Sequence, residues 1–331
     1  MTSSVSFVER QVLNMKYKVE NLMSANIVIT SNCNSKCASC NYWKMPPIYL
    51  DIQKIYDFYD MISKYECSSV VITGGEPTLH PAFKDIVKTA KEKYGFIVIL
   101  STNGSLIKYK FDEVKDYIDS YCISFDGYNK EQYKVIRGID NYNEILSNIE
   151  LIKDYNENIQ VWLSCLIQKK NFVNLNDIYL TALNSGADGI FFNVPELRGM
   201  CFGRDREKGN YDCLMLDTEQ CNELRNIIDH MISIDEKVGF LCQNSQSLHK
   251  FVDYFSFFNE GVKPEPRKCY VPYNTITLNE KGKIRPCFYL EDEMRMTGDD
   301  INSDFMTGIR RKLDQNEEYR LNCDYCCQFN S

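Results

Sequence analysis

The sequence predicts an α/β protein built on a parallel sheet, and three observations predict it. Six short apolar runs alternate with stretches of helical periodicity between about residues 25 and 200. The runs end in loops carrying Gly, Asn, Asp, Ser or Cys, so polar and metal-binding residues collect at one end of the strands. After residue 265 the pattern becomes a hairpin flanked by cysteines.

Residues 7–23 place Phe7, Val8, Val12, Leu13, Met15 and Leu22 among charges, which predicts an amphipathic helix leading into a first strand at residues 26–30. A loop bearing three cysteines follows. Asp51 then stands at the cap position of a helix whose Ile52, Ile55, Tyr56, Tyr59 and Ile62 share helical spacing. Residues 68–73 read as a strand running into Gly74-Gly75-Glu76-Pro77, and Pro81 opens a helix that reaches Lys93. Strands follow at residues 96–101, ending in Asn103-Gly104, and at 121–125, ending in Asp126-Gly127. A helix at residues 142–155, a strand at 159–167, a helix at 175–183 and a strand at 189–194 complete the alternation, stopped by Pro195. Such units imply parallel βαβ crossovers of right-handed sense, with the site at the C-terminal rim of the strands.

Between residues 200 and 265 the character changes. A helix at residues 217–234 starts with the capping-box pattern Asp217 to Gln220, a short strand is expected at residues 238–242, and Lys263-Pro-Glu-Pro-Arg267 marks a boundary. The expected division is a barrel core at residues 1–200, a connecting helical segment at 201–265 and a C-terminal unit at 266–331.

Composition narrows the function. The 331 residues are 44% hydrophobic and 25% charged, as in an ordinary globular protein, and the net charge of −8 argues against nucleic acid or an anionic membrane as partner. No apolar signal segment or membrane-length run is present, so a cytoplasmic location is expected. The fifteen cysteines then belong to a reducing compartment, as metal ligands, packing residues or catalytic thiols.

Cys33, Cys37 and Cys40 put three soft ligands on one short loop. Iron–sulfur clusters and tetrahedral zinc both normally take four ligands, so three leave one coordination position open. The spacing resembles the radical S-adenosylmethionine (SAM) family, and the alternative is a zinc loop completed by a distant histidine. The resemblance covers about residues 25–200 and implies a partial (β/α)6 barrel of TIM-like kind. It further implies a [4Fe-4S] cluster whose fourth iron is chelated by SAM, reductive cleavage to a 5′-deoxyadenosyl radical, and hydrogen abstraction from substrate.

By the same resemblance Gly74, Gly75 and Glu76 meet the methionine amino group. Ser101, Asn103, Ser124 and Asp126 match the places where the family contacts the ribose and carboxylate of SAM. Arg137 in Val135-Ile-Arg-Gly138 matches an Arg-Gly that would clamp the carboxylate, although a surface arginine is an equally natural reading. Many members carry an aromatic residue before the third cysteine, where this chain has Ser39, so Tyr42 or Trp43 is expected to face the adenine.

Near the C-terminus, Cys269 and Cys287 flank Thr275–Leu278, a turn at residues 279–282 and Lys283–Arg285. Pairing the arms brings the two thiols together, and Cys323 and Cys326 add two more. This resembles the twitch form of the SPASM auxiliary-cluster domain, a small β-hairpin plus helix. It implies a second [4Fe-4S] cluster, with Cys327 a possible replacement for Cys326 and a zinc ribbon the alternative. A full SPASM domain would need further cysteines than these, so one auxiliary cluster is the expectation.

Of the other cysteines, Cys67, Cys122, Cys165 and Cys242 read as packing residues. Cys201, Cys213 and Cys221 follow the sixth strand and are candidate hydrogen-atom donors, while His80 reads as structural. The expected function is that of an oxidoreductase or epimerase tailoring a small natural product, sugar or aminocyclitol, supplied with electrons by a flavodoxin- or ferredoxin-type donor. The short stretch before the first strand favours this over a ribosomal-peptide maturase with a leader-binding domain. Peptide epimerisation or cross-linking is the second reading, and a zinc-binding scaffold is the alternative of another class.

Overall fold

Strand β1 (Ser24–Thr30) is the strand from which the sheet extends in both directions, and the computed structural model describes residues 16–196, 201–203, 212–261, 269–290, 292–297 and 300–315. On one side lie β2 (Ser69–Gly74), β3 (Ile97–Thr102), β4 (Ser120–Ser124), β5 (Gln160–Leu166) and β6 (Gly189–Asn193), each parallel to its neighbour. On the other side β7 (Thr275–Leu278) pairs in parallel with β1, and β8 (Lys283–Arg285) and β9 (Met294–Arg295) follow antiparallel. Runs such as Ile27-Val28-Ile29 and Val70-Val71-Ile72 suit a sheet covered on both faces.

Helices α1 (Ile52–Ser63), α2 (Phe83–Glu92), α3 (Ile107–Val114), α4 (Lys130–Arg137), α5 (Tyr142–Tyr155) and α6 (Leu175–Leu183) connect the strands. Asp51 caps α1 by accepting from the amides of Gln53 and Lys54, as its position predicts. Helices α7 (Thr218–Asp235) and α8 (Ser245–Glu260) pack on each other beyond β6, and α7 opens with the full capping box of Asp217 and Gln220. One turn, α9 (Val271–Asn274), precedes β7, and α10 (Asp304–Gln315) follows β9. The fold is thus the α/β partial barrel with a C-terminal hairpin and helix that was expected. Its hairpin, however, continues the barrel sheet through β1 and β7.

The sheet curls, because its two ends meet. Phe202, beyond β6, lies 5.3 Å from Phe288, beyond β8, although six strands separate β6 from β8 in the sheet order. The loop after β1 and the rims of β2 to β6 line one cavity with Phe202 and Tyr289.

Three local expectations change. Residues 16–23 form a turn and extended chain instead of a helix, because side chains of the C-terminal region satisfy the backbone: Asn302 bonds Val19 N–H and C=O, and Arg310 donates to the Tyr17 carbonyl. The rest of that expected helix lies outside the described residues. Residues 238–242 make a single bridge between Leu241 and Ile190, since the Asp235 carboxylate accepts from the amides of Phe240 and Leu241 and holds them in a turn. Helices α3 and α4 were not anticipated. Among the described residues no helix is long and apolar enough to cross a membrane.

Candidate active site

The cysteine loop leaves β1 at Thr30 and is pinned along its length. Ser31 Oγ accepts from Ile48 N–H (2.9 Å), Asn103 Nδ2 donates to Asn34 Oδ1 (2.8 Å) and Ser35 Oγ (3.0 Å), and Lys36 N–H donates to the Arg137 carbonyl (2.9 Å). The last contact sets the loop on the C-terminal end of α4. Gly138 terminates that helix at φ 65°, and a Cβ there would stand 2.8 Å from the Lys36 carbonyl. On the other flank Asn41 N–H donates to the Phe202 carbonyl (2.8 Å), and the Cys40 thiol reaches the same oxygen (3.7 Å).

Cys33, Cys37 and Cys40 all line one cavity of about 240 Å³, together with Gly74, Gly75, Ser101, Asn103, Ser124, Asp126 and Arg137. Burial pushes the Cys33 thiol up to about 11, against a Ser35 N–H that pulls the other way, and burial likewise raises Cys37. Among the described residues no three His, Cys, Asp or Glu side chains are already gathered as a cage for one ion. A cubane is different, since each thiolate caps its own iron.

Glu76 does not face the cavity. It is fully buried and accepts from Thr78 N–H (3.2 Å), from Thr102 Oγ1 (2.8 and 2.9 Å) and from Asn103 N–H (2.8 Å), so it ties the rims of β2 and β3 together. Burial raises its pKa and these donors oppose the rise. This corrects its expected role beside an ammonium. Gly74 and Gly75 are explained first by packing, because a Cβ would stand 2.4 Å from the Thr30 carbonyl at one and 2.3 Å from that of Asn32 at the other.

Arg137 is no surface residue. Its side chain is 14% exposed, Nη1 donates to Asp126 Oδ2 at 3.1 Å, and Nε is buried without a partner. Asp126 Oδ1 accepts from Leu166 N–H (2.7 Å), which locks the pair to β5. Tyr42, expected at the adenine, points elsewhere, because its ring packs edge-on to Phe202 and is 5% exposed. It lines a second cavity of about 120 Å³ with Cys201, Thr277, Glu280 and Arg285. Trp43 bonds the Cys37 carbonyl through Nε1 (3.2 Å).

None of the three candidate hydrogen-atom donors lines the main cavity. Cys201 is buried beside the second one, Cys213 is exposed, and Cys221 is buried at the α7–α8 contact with Asn259 Nδ2 3.7 Å away. Residues missed by sequence reasoning complete the wall: Ser164 and Leu166 from β5, Asn193 at the end of β6 with Val194 to Glu196 after it, Phe202, and Tyr289 beyond the hairpin. The rim logic used for the third and fourth strands would have found the first two groups.

Residues 27–170 match the family described as the Radical SAM superfamily. That stretch is a radical SAM domain. The chain is 24% identical over 302 residues to a probable GTP 3′,8-cyclase of Saccharolobus solfataricus, covering 88% of this chain and 91% of the relative. It is also 24% identical over 318 residues to the antilisterial bacteriocin subtilosin biosynthesis protein AlbA of Bacillus subtilis, covering 92% and 64%. Among solved structures, Streptococcus suis SuiB bound to precursor peptide SuiA superposes with TM-score 0.65 at 14% identity over 92% of this chain and 70% of that one. Native anSMEcpe with bound AdoMet gives 0.64 at 18% over 92% and 83%. These likenesses in structure are likenesses of fold.

The site fits the cofactors the superfamily implies. Three thiols face a shared cavity, and the buried Arg137 Nε lacks an acceptor of the kind a carboxylate supplies. The second constellation is half visible. Burial pushes the Cys269 thiol up to about 12, with the Cys287 thiol a further raising influence. Cys323 and Cys326, with Cys327, lie outside the described residues.

His80 is structural, as expected. Its Nε2 bonds the Leu50 carbonyl (2.9 Å), and Nδ1 accepts from Ala82 N–H (3.1 Å).

Proposed function

We propose that Cys33, Cys37 and Cys40 hold a [4Fe-4S] cluster on which SAM is reductively cleaved, and that the cavity then presents a polar substrate for hydrogen abstraction. The observation that carries this is the meeting of three thiols, the Asp126–Arg137 pair and the Ser101 and Ser124 hydroxyls in one cavity at the strand rim. When bound, the cluster and SAM supply a 5′-deoxyadenosyl radical. The chain's own residues orient the cosubstrate. Arg137 offers Nε to the SAM carboxylate while Asp126 fixes its guanidinium, the serine hydroxyls face the ribose, and carbonyls near Gly74 and Gly75 face the ammonium. Phe202, whose backbone is bound to Asn41 beside the third cysteine, takes the adenine-facing position in place of Tyr42.

The wall formed by Ser164, Asn193, Glu196 and Tyr289 is rich in hydrogen-bonding groups, which suits dehydrogenation or epimerisation of a small natural product, sugar or aminocyclitol. A second cluster on Cys269, Cys287, Cys323 and Cys326 would exchange electrons with the substrate radical. A flavodoxin- or ferredoxin-type protein would donate the first electron. Peptide maturation is the second reading, favoured by the kinship with AlbA and by the fold shared with SuiB bound to its precursor peptide.

The test is anaerobic reconstitution followed by dithionite and SAM. Release of 5′-deoxyadenosine, with Cys37→Ala abolishing it and lowering iron content, is the expected result. Iron content unchanged in Cys37→Ala, or zinc without sulfide in the native protein, would sink the reading.

A further inference from the structure

The cysteine loop has two sides. One faces the main cavity, where SAM and substrate are placed, so a protein that delivers electrons must approach from the other. That outer side is unlike the rest of this acidic chain. Ser31 to Leu50 contains Lys36 and Lys44 and no Asp or Glu, although the whole chain carries a net charge of −8. Lys36, Ala38 and Lys44 are exposed. Trp43 is 36% exposed, with Lys44 Nζ 5.1 Å from the centre of its ring. Its Nε1 donates to the Cys37 carbonyl at 3.2 Å, while Cys37 also lines the main cavity. Cys37 thus meets the exposed indole through its backbone and the proposed cluster through its thiol.

The neighbouring helix continues this surface. Ala38 N–H donates to the Ile136 carbonyl (3.4 Å) and Lys36 N–H to that of Arg137 (2.9 Å), so the C-terminal end of α4 adjoins the loop. There Val135 is 62% exposed, and the ammonium groups of Lys130 and Lys134 share the one carboxylate of Asp140, each at 3.4 Å. Across loop and helix Lys36, Lys44, Lys130 and Lys134 outnumber Glu131 and Asp140. The result is a cationic surface that also exposes an indole and two aliphatic side chains.

Resting on the reading above, we infer that this face, built on Lys36, Ala38, Trp43, Lys44, Lys134 and Val135, is the docking site of an acidic one-electron donor protein of the flavodoxin kind. An acidic partner finds complementary charge here on a molecule whose net charge otherwise repels it, so the same field that draws it to the loop disfavours docking elsewhere. The indole supplies an aromatic anchor beside those charges. Docking on it sets the donor against the backbone of a proposed cluster ligand, which matters because electron transfer weakens steeply with distance. One electron leaves the reduced flavin and enters the cluster, so the donor is oxidised and the cluster reduced, with no bond made or broken.

Calorimetric binding of a bacterial flavodoxin to the full chain, reconstituted anaerobically, tests this. The wild-type protein is expected to bind, with affinity falling about tenfold or more between about 0.05 and 0.5 M salt. Lys36→Glu combined with Lys44→Glu is expected to weaken binding about tenfold or more at the lower salt. Val135→Glu, which alters the helix and leaves the cysteine loop untouched, is expected to weaken it about threefold or more. The control is Lys64→Glu combined with Lys237→Glu, exposed positions that follow α1 and α7, with affinity expected within about twofold of wild type. The inference is overturned if wild type does not bind flavodoxin, if salt leaves the affinity unchanged, or if neither the lysine reversal nor Val135→Glu weakens binding beyond the control. Photoreduced deazaflavin, a small uncharged reductant that needs no docking face, separates the two failures. If it releases no 5′-deoxyadenosine from SAM in the wild type, the cluster reading fails. If it does so equally in wild type and variants while flavodoxin affinity is unmoved, this inference alone falls.

Discussion

Gly75 has no room for a methyl group. A Cβ there would lie 2.3 Å from the Asn32 carbonyl and 2.6 Å from that of Ser31, and both are backbone atoms of the cysteine loop. Gly75→Ala should therefore cost about 1–3 kcal/mol and displace the thiols, read as a lower melting temperature together with poor iron uptake. Gly308, inside α10 with nothing within 4 Å, is the control, and its replacement by Ala should stabilise by about 0.5–1 kcal/mol. Phe202 is the other telling residue. It holds a left-handed φ of 61° while its ring lines the cavity, so Phe202→Ala should weaken SAM binding about three- to tenfold, as expected of a lost aromatic contact, with iron content unchanged. Equal SAM affinity in this variant would remove it from the adenine site. The cysteines were legible because three ligands share one loop. Tyr42 and Glu76 were not, since each turns toward a partner distant in sequence: Tyr42 toward Phe202, Glu76 toward Thr102 and Asn103.

Elements with local signals were read well. The α7 capping box and the helix at residues 142–155 lie where periodicity and caps place them, whereas the short α3 and α4 offered too few turns for periodicity to show. The hairpin was legible from its turn, but not the charge that fastens it. Glu293 accepts from Lys283 and from Arg285 Nε (3.0 Å), with Asn279 Nδ2 at 2.8 Å. Burial works to raise its pKa, and the hydrogen bonds and charges of Lys283 and Arg285 outweigh that and lower it below the ordinary 4.5. A carboxylate depressed by folding stabilises the fold above its unfolded value and loses that contribution as pH falls through its folded one. Stability should therefore drop as pH falls below about 4.5, and Glu293→Gln should flatten that part of the profile while lowering stability at pH 7. A variant with an unchanged acid limb would show that the network is idle.

At the scale of the whole molecule, the expected boundary near residue 265 meets a sheet that does not stop there. β7 is hydrogen-bonded to β1 over four residue pairs, so the barrel's first strand is an interior strand only while the hairpin is present. The C-terminal helix then closes the circuit. Arg310 is 1% exposed, donates from Nε to the Pro272 carbonyl (2.8 Å) and from Nη1 to that of Tyr17 (3.0 Å), and thus binds α10 to both α9 and the segment before β1. Sequence reasoning could not see this, because the Arg310 contact with Tyr17 joins residues 293 positions apart and depends on the strand order. The consequence is one cooperative unit. Arg310→Ala strands two buried carbonyls and should cost about 2–5 kcal/mol, lowering a single melting transition for barrel and hairpin alike. Calorimetry that resolved two transitions, with only the smaller one moved by this substitution, would show that the C-terminal region folds apart from the barrel despite the shared sheet.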